Sequence, residues 1–314
     1  MTEYQTFIGV DIGKFDCVAV PSDKGSKPLS FTNNLSGWRT FCRHYKEFLK
    51  DSLVIAETTG GYEKNFLHHL HKQGIHLHRA NTIQVKNFIR SLGTLAKTDA
   101  LDAQGLARYG KERHQDLTLY VPLDPQEDDL QTLCQRASDL SRMLVQEKNR
   151  LQAPGSKSIQ SSCKKMIAIL TKEEASIRGK MKKLIESLPS KKAAQKVLMT
   201  IPGIGEKVSQ DLVCLMPELG CMSRRQAASL AGLAPHANES GTFIGRRRIR
   251  GGRVDVRRVL FMAAMTSTRS KAGLGDFYQK LVGRGKVKMI ALTAVMRKII
   301  VIANAKLRDS LAES

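Results

Sequence analysis

Aromatic residues are scarce in this 314-residue chain, at 5% with a single tryptophan. That shortage argues against a base-stacking platform of the kind single-strand binders use. Cysteine is also sparse: Cys17, Cys42, Cys134, Cys163, Cys214 and Cys221 form no C-x-x-C pair. Neither a zinc site nor a disulfide framework is indicated, and reduced, mostly buried thiols are expected. No apolar run is long enough to span a membrane, because the longest, Met289 to Ala305, is broken by Arg297 and Lys298. The opening MTEYQTFIGVDIG lacks a basic n-region and a long apolar core, so no export signal and a cytoplasmic location are expected. Internal repeats and low-complexity tails are missing too. Acidic residues are in deficit, 29 Asp+Glu against 51 Lys+Arg, for a net charge of +22.

The excess is unevenly spread. Residues 1–120 carry +4, residues 121–190 carry +3, and residues 191–314 carry +15. A cationic third of a chain points to a polyanionic partner, with nucleic acid ahead of a membrane surface. With 41% hydrophobic residues the chain is globular, and its length suggests two or three domains.

Short apolar runs and turns alternate at the start. Thr6–Asp11, Phe15–Val20, Leu29–Thr32 and Leu53–Ala56 read as strands. Ser36 is expected to cap a helix carrying Trp38, Phe41, Tyr45 and Phe48. Helix 61–73, strand 76–79 and helices 82–91 and 99–113 follow, an alternation that predicts a three-layer α/β domain over residues 1–122. Residues 123–190 read as an antiparallel helical hairpin, either a coiled coil or a plain pair of packed helices, with apolar positions Leu130, Leu133, Ala137, Leu140 and Leu144 facing Leu170, Ile177, Met181, Leu184 and Leu188. Residues 191–314 read as a basic, mainly helical domain with Gly-rich interruptions at 201–205 and 241–252. Its last helix, about 286–308, is apolar nearly all round and is expected to be central.

Four acids stand out. Asp11 and Glu57 lie where strands end, the usual place for ligands and catalysts in an open α/β sheet. Asp99 and Asp102 are three apart at a helix start and share a face. Singly, each has an ordinary explanation as a turn former, a helix cap or a partner of the helix dipole. Together in one crevice they would repel unless divalent cations lay between them, and hard oxygen ligands favour Mg²⁺ or Mn²⁺. Such a metal pair suits phosphodiester chemistry. Strand-Asp, strand-Glu and helix-Asp-x-x-Asp, in that order, resemble the ribonuclease H-like fold of RuvC-type nucleases.

The basic third adds two further features. Ile201-Pro202-Gly203-Ile204-Gly205-Glu206-Lys207 resembles a helix-hairpin-helix turn, in which the N–H groups around Gly203 and Gly205, with Lys207, would bind a phosphate. A tight helix connection accounts for the glycines equally well. Glu239-Ser240-Gly241 precedes Arg246, Arg247, Arg248, Arg250, Arg253, Arg257 and Arg258, seven arginines in thirteen residues. Guanidinium forks at that density suit phosphates. Ser240 is then either a nucleophile at the mouth of the cluster or a turn residue, with no general base beside it except His236, four residues away. The histidines at 68, 69, 71, 76 and 78 fall on different faces and predict no metal site.

These motifs occur together: Gly-Val-Asp11-Ile-Gly-Lys, Glu57-Thr-Thr-Gly-Gly-Tyr, Lys97-Thr-Asp99-Ala-Leu-Asp102-Ala, and Ile-Pro-Gly-Ile-Gly with Ala-Gly-Leu-Ala-Pro and Glu-Ser240-Gly. The combination resembles the DEDD transposases of bacterial insertion sequences, relatives of the Piv DNA invertase, over nearly the whole chain. The resemblance implies a RuvC-like domain in which Asp11, Glu57, Asp99 and Asp102 hold divalent metal. It also implies that Ser240 attacks DNA to form a phosphoserine intermediate. It further implies a DNA substrate, a nucleoid association, a structured bridge RNA as guide in some members, and a dimer or tetramer held by the helical hairpin. In that assembly the carboxylates and the serine could come from different protomers. The alternative is a hydrolytic RuvC-like nuclease or Holliday-junction resolvase without a covalent serine step.

Overall fold

The computed structural model describes residues 4–23, 25–93, 96, 98–245, 247–270 and 273–313. The chain divides into two compact units, Met1–Leu123 and Asp124–Ser314.

In the first unit, Thr6–Ile12 (β1), Asp16–Pro21 (β2) and Leu29–Thr32 (β3) form an antiparallel meander. Leu35–His44 (α1) leads to Ser52–Glu57 (β4), which pairs parallel to β1. Lys64–His71 (α2) then returns the chain to His76–Ala80 (β5), parallel to β4. The sheet order is β3-β2-β1-β4-β5, and Thr82–Ser91 (α3) and Asp99–Arg113 (α4) follow it. Side chains alternate across a strand, so each strand feeds two cores. Ile8, Val10, Val54 and Ala56 pack with Phe41 of α1 and with Phe66 and Leu70 of α2. Phe7, Leu53 and Ile55 pack on the opposite face with Val85 of α3 and with Leu106 and Tyr109 of α4.

Two helix starts differ from the sequence expectation. Asn34, not Ser36, caps α1, its side chain accepting the Gly37 N–H at 3.0 Å. In that first turn Gly37 lies directly against Thr32, where an added Cβ would sit 1.9 Å from the carbonyl oxygen. The second start moves later, from 61 to Lys64, because Gly60 and Gly61 hold φ of +73° and +105°, outside the helical region.

The second unit is mostly helical. Pro125–Gln152 (α5) and Gln160–Ser187 (α6) are 28 residues each and pack antiparallel about Leu130, Ala137, Leu140, Leu170 and Met181. Asp124 caps α5 with Pro125 in its first turn, and Gly155 supplies the left-handed residue (φ +80°) of the connection. Cys134, Glu174 and Ile185 are also buried in this hairpin, positions the apolar spacing did not reveal. Pro189–Met199 (α7) and Glu206–Leu215 (α8) flank the Pro-Gly-Ile-Gly turn. Arg178 of α6 forms a bidentate ion pair with Asp211 of α8, fixing the hairpin to the helical core. Arg224–Leu230 (α9) precedes a β-arm, and Val254–Ser267 (α10), Gly275–Gly283 (α11) and Lys288–Ala312 (α12) complete the unit. Ile299, Ile300 and Ala303 of α12 are fully buried among α7 to α10, so this helix is central to its core.

The β-arm departs from the expected glycine-rich interruption. Pro235–His236 (β6) pairs with Arg248–Ile249 (β9), and Glu239–Ser240 (β7) pairs with Phe243–Ile244 (β8), both antiparallel. Chain reversal is local, so backbone pairing forms without an apolar alternation to announce it. Among the described residues, no helix is long and apolar enough to cross a membrane.

Candidate active site

Strand alternation and register bring the first two acids together. Val10 pairs with Ala56 in the parallel β1–β4 ladder, so Asp11 and Glu57 are the next residues of adjacent strands, at their C-terminal ends. Both share the parity of Phe7, Leu53 and Ile55, the residues that face α3 and α4. The start of α4 carries Asp99 and Asp102 in its first turn. Its cap is Thr98, whose side chain accepts the Leu101 N–H at 3.2 Å, so neither aspartate serves as the capping residue. Gly9 sets how near α4 can come to β1. A Cβ there would lie 1.9 Å from the Ala103 oxygen and 2.4 Å from the Ala107 nitrogen.

Electrostatics report the same convergence. The Asp11 carboxyl is raised to about 6, first by burial and then by the charges of Asp99, Asp102 and Glu57. Every charged group that shifts it is another carboxylate, and only the Ile12 backbone N–H works in the opposite direction. A set of hard oxygen donors with mutually repelling charges has the chemistry of a divalent-cation site. As the side chains stand, no three His, Cys, Asp or Glu groups among the described residues are close enough to enclose a metal ion. Asp102 also lines a cleft of about 590 Å³ together with Ser22, Ile89, Leu101 and Arg108.

Sequence reasoning missed Glu63. Its side chain is wholly buried beyond the Gly60-Gly61 turn, where Oε2 accepts the Thr59 N–H (3.1 Å), the Thr59 hydroxyl (3.2 Å) and the Gly61 N–H (2.9 Å). Oε1 accepts the guanidinium of Arg79 on β5, with Nε at 3.0 Å. Burial alone would raise this carboxyl, but its own backbone N–H, Arg79 and the Thr59 N–H outweigh it and hold the group below the ordinary carboxylate range. Glu63 thereby pins the loop that leaves Glu57. The one available signal was a second acid six residues after Glu57, across a double glycine.

In the second unit, Ser240 is exposed and ends the outgoing strand of the β-arm, beside the two-residue loop Gly241-Thr242. Gly241 takes φ +54°, as the first loop position of a tight two-residue hairpin turn can require. His236 pairs with Arg248 in the stem, and among the described residues neither it nor a carboxylate hydrogen-bonds the Ser240 hydroxyl. Arg248 and Arg250 are exposed, as is Arg247, whose Nη2 lies 3.3 Å from Glu239 Oε1. Arg246 lies outside the described residues. Arg253 is engaged internally: it donates to both oxygens of Glu218 and to the Leu215 carbonyl, joining α10 to the end of α8.

The Pro-Gly-Ile-Gly turn is a packing element in this unit. Gly203 has φ +96°, and a Cβ would meet the Ala263 oxygen at 2.5 Å and the Ser267 Cβ at 2.7 Å. Gly205 occupies the cap position of α8 without a side-chain cap. Lys207 reaches Glu174 of α6 at 3.3 Å, so its ammonium has a protein partner.

Comparison with known proteins joins these two regions. A family model for DEDD transposases of the IS110 group, described as "Transposase", matches residues 8–154. A second, described as "Transposase IS116/IS110/IS902 family", matches residues 195–279. The pilin gene-inverting proteins of Moraxella lacunata and Moraxella bovis are each 29% identical over 321 residues, covering 98% of this chain and 97% of theirs. An uncharacterized 43.6 kDa protein of insertion element IS110 from Streptomyces coelicolor is 31% identical over 115 residues, 36% of this chain and 28% of its own. One family model thus takes in Asp11, Glu57, Asp99 and Asp102, the other takes in Ser240 and its arginines, and the chain belongs to the IS110/IS116 family of DEDD transposases.

Proposed function

We propose that the protein is a site-specific DNA recombinase of an insertion sequence that cleaves and rejoins strands through Ser240. The observation that supports this reading is the β1–β4 register, which sets Asp11 beside Glu57 at the strand ends in a chain whose two halves match transposase family models. In this reading, Asp11, Glu57, Asp99 and Asp102 would hold Mg²⁺ or Mn²⁺, which would supply Lewis-acid stabilisation of the phosphodiester oxygens.

The chain's own residues do the rest. Glu63 and Arg79 keep the loop after Glu57 fixed, and Gly9 lets α4 bring its two aspartates to the strand ends. The Ser240 oxygen bonds to phosphorus while the bond to one deoxyribose oxygen breaks, and that oxygen leaves carrying a proton. One phosphate ester replaces another, so the step is close to energetically neutral and a second DNA hydroxyl can reverse it onto a new strand. Arg246, Arg247, Arg248 and Arg250 grip the backbone around the serine. Gly203, Lys207 and Arg253 have packing or ion-pairing roles inside the unit and are assigned no DNA contact. A structured RNA that pairs with both DNA partners would supply the site choice, in a dimer or tetramer.

The test is strand cleavage with trapping of protein–DNA adducts, comparing wild type, Ser240→Ala and Asp11→Ala, with and without EDTA. Adducts are expected only for wild type with metal. An adduct that persists in Ser240→Ala overturns the serine assignment. Cleavage without any adduct supports the hydrolytic alternative. Sequencing of RNA that co-purifies with the protein tests the guide.

A further inference from the structure

Among the described residues, one face of α12 lacks a protein partner where it meets the stem of the serine-bearing arm. Ile290, Thr293, Ala294 and Arg297 recur at helical spacing and line one side of a groove of about 760 Å³. Pro235 of β6 and Arg247, Arg248 and Ile249 at β9 line the other. The groove has two chemical zones. Arg247, Arg248 and Arg297 are exposed cations at its edge, and no acid is among the described residues that line it. Met289 and Ile290, each 58% exposed, give it an aliphatic floor with Ile249 and Pro235. Arg247 shares its charge with Glu239 across the arm, which leaves Arg248 and Arg297 as the stronger anion contacts.

We propose that this groove seats an unpaired stretch of nucleic acid where it approaches Ser240, with phosphates on Arg248 and Arg297 and one base or ribose on Met289 and Ile290. An intact duplex shows phosphates at its rim and keeps its bases stacked inside, so it offers the aliphatic floor nothing. A strand with one nucleotide turned out of the stack offers both zones their complement, and apolar side chains stabilise such distorted steps. The floor is aliphatic and small, so it serves a single nucleotide and needs no aromatic platform. Continuity favours the same occupant: the groove wall is the stem of the arm, and Ser240, on the next short strand, lies five residues beyond Pro235. The inference rests on the recombinase reading only for the identity of the polyanion.

The test measures binding of the full-length protein to two labelled DNAs of equal length, one fully paired and one with a short central unpaired bubble. In the doubly substituted Met289→Ser, Ile290→Ser protein, affinity for the bubble should fall about tenfold while duplex affinity holds within about twofold. An unchanged melting temperature confirms that these exposed sites are not needed for folding. Arg297→Gln should weaken both DNAs and lower the salt dependence by about one ion. Equal losses on both DNAs for the double variant, or none, overturn the groove assignment. A double variant that loses self-association in sedimentation while binding both DNAs normally gives the face to a second copy of the chain and overturns it too. Failure of the wild type to bind either DNA is a distinct result, and defeats the recombinase reading as well.

Discussion

The two regions to which the proposed chemistry is assigned are built on opposite principles. The carboxylate end of the sheet is held from every side by strand register, by α4 against Gly9 and by the buried Glu63 ion pair. Burial and the charges of Asp99, Asp102 and Glu57 raise the Asp11 carboxyl, a repulsion the surrounding structure must hold in place. The serine arm is the reverse: a narrow exposed ribbon with Ser240 beside a glycine turn and cations along its stem. One region is packed and acid-rich, and the other is exposed and cationic. The difference teaches that substitutions in the first should act through folding and metal, and in the second through DNA alone.

The sharpest way to break that contrast is to remove one reacting group from each. Ser240→Ala and Asp11→Asn should each lower strand transfer by at least about 10³-fold. Only the aspartate variant should also raise thermal stability in metal-free buffer, since it relieves repulsion inside the carboxylate set. A serine variant that changes the melting temperature as much as the aspartate variant would erase the distinction. Gly9→Ala comes next. Its Cβ has no room against the Ala103 carbonyl, so α4 must move at a cost of about 3 kcal/mol. Denaturant melts and the metal midpoint of cleavage should both worsen, and an unchanged metal midpoint would separate α4 packing from the acids.

Legibility in the sequence follows the same division. Helices 82–91 and 99–113 could be read end to end because Asn81 and Thr98 cap them by local side-chain bonds. The strands announced themselves by apolar runs, and the acids by their position at the ends. What needed the fold was facing: only register and parity set Asp11 beside Glu57 and under α4. The arm at 235–249 was hidden because its paired segments are two residues long, too short to carry a periodic pattern. The roles of Lys207 and Arg253 were hidden for a different reason. A cation's partner, Glu174 or Glu218 here, lies 33 or 35 residues away along the chain.

Glu63 gives a milder test on the rigid side. Replacing it with Gln leaves one acceptor oxygen for two donor sets, so either the Thr59 and Gly61 N–H groups or Arg79 lose their partner, at a cost of about 2 kcal/mol. Its carboxyl is held below the ordinary range in the folded chain, so its stabilisation is complete above the unfolded value, near 4.3. That contribution is lost as the pH falls through the folded value. Melting temperature plotted against pH should therefore drop in acid more steeply for wild type than for Glu63→Gln. Parallel curves would mean that the carboxylate's charge does not hold the loop.

The smallest effect on stability, and the cleanest on DNA, belongs to Arg250. It is exposed and lies just past the β6–β9 pairing, so Arg250→Gln should shift unfolding by less than about 0.5 kcal/mol. With one phosphate-binding cation fewer on the arm, DNA binding releases one counterion fewer, so the slope of log affinity against log salt should fall by about one. Duplexes of different sequence should weaken alike, because a backbone contact carries no base information. Arg253→Gln is the matched control, since its fork is occupied by Glu218 and the Leu215 carbonyl. It should destabilise the unit by about 1–3 kcal/mol and leave the salt slope where it was. If the two variants exchanged behaviours, the cationic arm would be structural and the occupied fork would be the DNA contact, and the contrast between rigid and free regions would fail at its weakest joint.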